Sequence, residues 1–534
     1  MTVIQSYCGD YNRDPGESSY HCTATHPPCE HGDGPCAPCN ELTELEAEIE
    51  NLHSRLKDLH ERHRQARATR NLVHNGPLIQ QFPPEIVAHI FVLAFPPREA
   101  FSCHNPGKEV NPLILTGVCQ SWRELALSTS TLWSTISVDA EKPNFPLLNH
   151  KVTHSGVIPL SIHLFALSDY PNDPSALSKE AMSLLVQQLH RTSSLCLNLP
   201  KNFITEFSSL SISDSPNAAS LLEEIHVHCR DEDRSFRLRL AIEPPHPRHL
   251  LLEWLPCDQI GLNWRNISHL TLKSCYVGGA LSEILVSRDL KHLTLEVERR
   301  DLLREQTLAV YPSIEDLTLR SFHSAEFMFM KTTLPSLLTL EIKVEEKRRL
   351  YPMIRDFLHR SQCPLQVLTI HHWGKDTTLE VGETSMQALI RALENMTTLQ
   401  HLTLESYEGF PASSPESLVR RLSSQESAFL PCLQTLSLRT RFTLPIDLLL
   451  KVMTTDGLSS EITSGSDTVR PLRRLNLELW MTIFDVGPFS RDDVLQIIQL
   501  RAAGKIISIG CAPKRDPPEL LSDVVKYWEC KYGL

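Results

Sequence analysis

After residue 158 the hydrophobic pattern is dominated by one short phrase, L-x-x-L-x-L with Ile or Val allowed. It recurs as LEEIHV from Leu222, ISHLTL from Ile267, LKHLTL from Leu290, IEDLTL from Ile314, LLTLEI from Leu337, LQVLTI from Leu365, LQHLTL from Leu399, LQTLSL from Leu433 and LRRLNL from Leu472. Weaker copies, PLSIHL from Pro159, SSLCLNL from Ser193 and PRHLLL from Pro247, precede these and fill the gaps. From Ile267 onward, successive copies begin 23 to 39 residues apart. Alternation is the period of a strand: in ISHLTLK it sends Leu270 and Leu272 to one face, and His269, Thr271 and Lys273 to the other. A phrase returning at this interval describes a strand and a return segment, repeated, with each unit burying its leucines only against its neighbours. Residues 351–360 and 386–396 carry helical spacing and are expected to cover the leucine face. The stretches 407–431 and 440–470 read as polar insertions around short helices, with 459–468 disordered. Residues 493–500 and 506–510 read as a last helix and strand, and 520–528 as an amphipathic helix capping the array.

Ahead of the array the pattern is helical. Leu42, Leu45, Ile49, Leu52, Leu56, Leu59, His63 and Ala66 step by threes and fours, a heptad seam, with Asn40 in the N-cap position. Glu41, Glu44, Glu46, Glu48 and Glu50 fill the first half, and Arg62, Arg64, Arg67 and Arg70 the second, which complements the helix dipole. Two readings stay open: self-association through residues 41–70, or a single helix whose seam packs on its own chain. Further on, Pro83 and Pro84 ahead of Glu85 suit a first helical turn. Ile86, Ile90, Phe91 and Phe95 then share one face, and Pro96-Pro97 ends the helix. A second helix over 113–127 carries Val118, Cys119, Trp122, Leu125 and Ala126 on one stripe, and Leu132-Trp133 adds a large apolar anchor. So small a helical module buries little surface and should gain stability from a partner or a neighbouring domain.

These residues carry a resemblance. PPEIVAHIF (83–91), Val118-Cys119 with Trp122, and Leu132-Trp133 resemble, in order, the F-box pattern of proline–glutamate–isoleucine, valine–cysteine–x–x–tryptophan and leucine–tryptophan. Where that family usually opens with leucine–proline, this chain has Phe82-Pro83. A heptad helix running straight into such a module is similar to the F-box-like proteins of mushroom-forming fungi. The recurring phrase resembles irregular leucine-rich repeats, with the usual Asn after the strand mostly missing. The resemblance implies docking to a Skp-type adaptor and through it to a cullin-based ubiquitin ligase. Phe82, Pro83, Ile86, Ile90, Phe91, Val118, Cys119, Trp122, Leu132 and Trp133 would bind the adaptor or hold the module's core. The repeats would hold a protein substrate, and the chain itself, a non-catalytic subunit, would do no bond chemistry. The alternative is a leucine-rich scaffold that acts without a cullin ligase. The predicted organisation is therefore mixed: a disordered tail over 1–40, a long helix over 41–75, an all-α F-box-like module over 76–140 and an α/β leucine-rich-repeat solenoid over 150–534.

Two columns of outward positions run down the array. The first is Thr271, Thr294, Thr318, Glu341, Thr369, Thr403, Ser437 and Asn476, and its threonines suit a pleated strand without further explanation. The second supplies the candidate substrate-binding residues Lys273, Glu296, Arg320, Lys343, His371, Glu405 and Arg439, followed by Glu478. The competing reading is that these charges pair across strands. Their mixed sign predicts no preference for an acidic or a basic partner.

Composition narrows the partners. Hydrophobic content of 41% and charged content of 22% fit a globular chain, and a net charge of −12 argues against nucleic acid. No apolar run approaches the roughly 18 residues of a membrane span, and the first residues do not read as a secretory signal. Fifteen cysteines, mostly within apolar stretches after residue 100, fit reduced thiols in the cytoplasm or nucleus. In the tail, Cys36 and Cys39 have zinc-pair spacing with His21, Cys22, His26, Cys29 and His31 nearby. No second pair of matching spacing follows, so exposed thiols on a flexible tail are the preferred reading, and no metal or cofactor is assigned. The chain has no phosphate-binding glycine loop, G-x-S-x-G or H-E-x-x-H. His60 and His63 come closest but lie on the heptad helix, and the acidic run at 231–233 lacks the rest of a calcium loop.

Overall fold

The computed structural model describes residues 37–75, 82–95, 111–168, 173–212, 221–229, 247–255, 260–275, 287–297, 308–344, 350–372, 385–406, 414–424, 429–440, 446–454, 472–479 and 491–511, with the single positions 238, 257 and 285. The readings made at 1–36, 96–97, 231–233, 459–468 and 520–528 lie outside them. The chain divides into two compact units, Met1–Val87 and Ala88–Leu534. Among the described residues there are 13 α-helices and an open parallel sheet of 14 strands, a mixed α/β fold with no closed barrel.

In the first unit, α1 (Ala37–Asn75) starts ahead of the predicted position, so Asn40 lies inside the helix and does not cap it. Leu42, Leu45, Ile49, Leu52, Leu56 and Leu59 are all exposed along it.

Helix α2 (Pro84–Ala94) crosses the boundary between the units. Pro83 supplies the carbonyl that accepts from Ile86 and Val87 N–H at 2.9 and 3.2 Å, starting the helix where proline at the first turn costs nothing. The predicted apolar face does not hold. Val87 and Phe91 are buried, while Ile86, Ile90 and Leu93 are exposed. The helix is apolar almost all round, so its pattern contains two candidate stripes, and the expected one includes residues of both.

In the second unit, the helix predicted over 113–127 is two helices, α3 (Leu113–Thr116) and α4 (Gln120–Ser128). The break falls at Gly117 and at an extended Cys119 (φ −157°, ψ 170°), which leaves Val118 and Cys119 exposed and off the core stripe. The Trp122 ring packs 4.8 Å from Phe91. A 3-10 turn (Ser130–Trp133) then buries Leu132 and Trp133. The indole N–H of Trp133 donates to the Ala126 carbonyl at 2.7 Å, and its ring meets His150 of α5 (Phe145–His154) edge-on at 5.0 Å.

The all-α reading through residue 140 is corrected by β1 (Thr135–Asp139), which pairs in parallel with β2 (Leu160–Phe165) from Thr135↔Ser161 to Asp139↔Phe165. Ile136 and Val138 alternate with less buried neighbours, as a strand with one core face requires. The sheet thus begins two residues after Trp133. The remaining strands follow in chain order: β3 (Thr192–Leu199), β4 (Glu224–Cys229), β5 (His249–Glu253), β6 (His269–Lys273), β7 (His292–Glu296), β8 (Asp316–Leu319), β9 (Thr339–Val344), β10 (Val367–His372), β11 (His401–Ser406), β12 (Thr435–Thr440), β13 (Arg474–Leu479) and β14 (Ile506–Cys511). Each copy of the recurring phrase supplies one of them. Register keeps the leucines level, Leu270↔Leu293↔Leu317↔Leu340↔Leu368↔Leu402↔Leu436↔Leu475, so they fuse into one continuous core.

Helices fill the returns: α6 (Ala176–Gln187), α7 (Lys201–Ile212), α8 (Phe322–Lys331), α9 (Leu350–Ser361), α10 (Ser385–Leu393), α11 (Ser414–Ser423), α12 (Ile446–Thr454) and α13 (Arg491–Ala502). In α9, Ile354, Phe357 and Leu358 recur at helical spacing and are buried, as their pattern predicts, Met353 of the same set is only partly buried, and Tyr351 joins the buried face. No helix among the described residues is long and apolar enough to cross a membrane.

Candidate functional site

The outward face of the sheet carries three columns of side chains, one more than the sequence pattern suggested. The additional column stands at the first position of the strands, where register aligns Glu224, His249, His269, His292 and Asp316. Their side chains make a continuous ladder. His249 Nδ1 lies 3.3 Å from Glu224 Oε1, the His249 and His269 rings are 4.3 Å apart, and the His269 and His292 rings stack at 4.0 Å with an 18° tilt. His292 Nδ1 closes the row at 2.5 Å from Asp316 Oδ2. The signal was present in the sequence as a histidine directly before the first paired leucine in RHLLL, SHLTL and KHLTL.

Desolvation, then the neighbouring His292 and His249, pull the pKa of His269 down to about 4 from the ordinary 6.5. The unfolded chain therefore binds a proton between those two values that the folded chain refuses, so stability falls as pH drops from 6.5 through 4. His269→Gln is expected to flatten the melting temperature over that window. An acid limb as steep as the wild type's would show that the ladder does not set it.

Further along, four of the seven candidate substrate residues are held in one network. Lys343 Nζ reaches Glu341 Oε1 at 2.7 Å, and His371 Nε2 reaches the same oxygen at 3.3 Å. His371 Nδ1 bonds Glu405 Oε2, and Arg439 donates to Glu405 Oε1 at 2.7 Å. The hydrogen bond from His371, with further help from Lys343, holds the Glu341 carboxyl down to about 2. Burial opposes the charge on His371, but hydrogen bonds to Glu341 and Glu405 outweigh it and raise its pKa. Glu405 is lowered despite its burial by His371 and Arg439. Lys343, His371, Glu405 and Arg439 thus satisfy one another across strands.

Lys273, Glu296 and Arg320 differ. They stand at or just beyond the ends of β6, β7 and β8 and make no ion pair among the described residues. Beside Lys273 is Trp254, which donates its backbone N–H to the Lys273 carbonyl at 3.0 Å and is itself exposed. Its φ of 61° lies in the left-handed region, rare for a bulky residue and a strain that gathers at functional positions. Sequence reasoning missed it, because nothing in HLLLEW marks a left-handed turn.

A cleft of about 760 Å³ between α9 and α10 is lined by Arg355, His359, Cys363 and Arg391 among others. Burial pushes the Cys363 thiol up to about 11, the opposite of what an activated nucleophile needs. Among the described residues no group of three or more His, Cys, Asp or Glu side chains is placed to hold a metal ion.

The residues of the F-box-like phrases sort into two classes. Phe91, Leu132 and Trp133 are buried and Trp122 is half-buried. Phe82, Pro83, Ile86, Ile90, Val118 and Cys119 are exposed, and so are Leu93 and Ile114, at 66% and 62%, which the sequence reading did not single out. No family model matches the chain, and no curated protein matches it in sequence.

Proposed function

We propose that the chain is the substrate receptor of a Skp–cullin–F-box type ubiquitin ligase. The observation that carries this reading is the exposure of Ile90, Leu93, Ile114 and Val118 on a helical module whose Phe91, Leu132 and Trp133 are packed inside. Large apolar side chains left outside beside a completed core mark a docking surface. The F-box-like phrases, which supply Ile90 and Val118, support a Skp-type adaptor as its partner. The module runs directly into an array of irregular leucine-rich repeats, and rigid arrays of this kind present extended binding faces. The charges at Lys273, Glu296 and Arg320 and the strained, exposed Trp254 make the ends of β5 to β8 the part of that face best suited to a protein substrate. The receptor contributes effective concentration and orientation between substrate and ubiquitin donor, and no bond chemistry of its own.

Co-expression with a Skp-type adaptor, followed by affinity purification, tests the reading. A stoichiometric complex that also retains a cullin is expected. The pair Ile90→Lys with Ile114→Lys should weaken adaptor binding by about 100-fold while leaving the melting temperature nearly unchanged, since both side chains are already in water. Adaptor binding that survives the double substitution would overturn the assignment of this surface. A complex that forms but never recruits a cullin would favour a leucine-rich scaffold.

A further inference from the structure

We propose that the exposed seam of α1 pairs with the same helix of a second copy of this chain, and that the two run antiparallel. This rests on the first unit alone and is independent of the ligase reading. Six consecutive apolar seam positions, from Leu42 to Leu59, are between 38% and 57% exposed. They step by threes and fours with no break, the spacing of a two-helix interface and not of scattered surface leucines.

The charges select both the occupant and its direction. The positions that flank the seam are Glu41, Glu46 and Glu48 in its first half, and Arg55, Arg62 and Arg67 in its second, with His53 and His60 between them. A parallel pair would set Glu41 against Glu46 and Arg62 against Arg67 of the other copy, like against like at both ends. An antiparallel pair brings Glu48 of each copy level with Arg62 of the other and Glu46 level with His60. Only Arg55 and His53, near the midpoint, face their own counterparts. The seam closes in the same arrangement: Leu42 opposite Ala66, Leu45 opposite His63, Ile49 opposite Leu59 and Leu52 opposite Leu56. Each bulky residue near one end then meets a smaller or more polar one, and the helix dipoles oppose. A second copy is the partner that supplies this match, because the chain carries the acidic and the basic half on one helix.

The test is the mass of the full-length chain by sedimentation equilibrium, with two sets of charge reversals. The wild type is expected to be dimeric at micromolar concentration and to dissociate more readily as salt rises. Reversing one half (Glu41→Lys, Glu46→Lys and Glu48→Lys) should weaken the dimer at least tenfold. Adding Arg62→Glu and Arg67→Glu in the same chain should restore it. Helix content by circular dichroism separates loss of pairing from loss of the helix. A monomeric wild type at 100 micromolar would overturn the proposal. So would a dimer indifferent to reversal of one half, because a parallel pair faces like with like before and after.

Discussion

Trp133→Ala is expected to destabilise the second unit by about 3–5 kcal/mol, the range for losing a fully buried tryptophan. The side chain is 0% exposed, and the cavity left behind would open where three elements meet: the end of α4, the 3-10 turn and α5. The indole N–H also donates to the Ala126 carbonyl in the last turn of α4, which the Thr129 N–H reaches at 3.3 Å, so truncation removes the shorter of two hydrogen bonds to that acceptor. Because β1 starts two residues later, the damage should reach the first strand pair and not only the helices. Trp122→Ala should cost less, since Trp122 is half-buried and rests mainly on Phe91. Urea unfolding of the full chain, followed by far-ultraviolet circular dichroism, measures both. If Trp133→Ala shifts stability by less than about 1 kcal/mol, or Trp122→Ala proves the more harmful, Trp133 is not the anchor of this core.

The strands were legible because a period-two phrase repeated at intervals leaves little choice of register: each copy buries the same two leucines, and a slip of one residue would expose both. β1 escaped because TISVD lacks the leading leucine and follows Leu132-Trp133 without a turn signal. The break between α3 and α4 has only Gly117 as a signal in the sequence, although the residue that turns extended is Cys119, and one glycine inside a helical pattern does not reveal whether the helix bends, ends or continues. On α2 the pattern predicted a helix and could not choose its face, because Ile86, Ile90 and Leu93 are as apolar as Val87 and Phe91. That choice matters most for function, since it separates what builds the module from what the module offers. In the sheet, the charged column was visible, but its pairing depends on which strands are neighbours. Glu341, assigned to the threonine column, turned out to be the hub that joins Lys343 to His371. The histidine ladder occupies the first outward position of its strands, one step ahead of the threonine and charged columns, and its contacts likewise depend on which strands are neighbours.

Arg191→Met should cost about as much as the loss of Trp133, though by a different route. Arg191 is 8% exposed, and its guanidinium donates to the carbonyls of Gly156 at 2.6 Å, Ile158 at 3.1 Å and Val152 at 3.3 Å, and to Ser155 Oγ at 3.0 Å. Its Nε–H donates to Gln188 Oε1 at 2.9 Å. These acceptors gather at the C-terminal end of α5, where carbonyls lack helical partners and the dipole favours a cation. The arginine thus caps α5 from the turn that precedes β3, and fixes Gly156 in its left-handed turn (φ 57°) between α5 and β2. Methionine keeps most of the packing volume but offers no donor, so the Gly156 and Ile158 carbonyls must find water or remain unsatisfied, while Val152 keeps the Ser155 hydroxyl at 2.8 Å. With hydrogen bonds from a charged donor contributing about 1.5–3 kcal/mol each and some of the acceptors near solvent, a net loss of about 3–5 kcal/mol is expected. Lysine at the same position should recover only part of this, because a single ammonium cannot span acceptors that a planar guanidinium reaches together. The order expected from urea midpoints is wild type, then Arg191→Lys, then Arg191→Met. Equal midpoints for lysine and arginine would show that charge alone holds the end of α5, and a methionine variant as stable as the wild type would remove Arg191 from its structural role altogether.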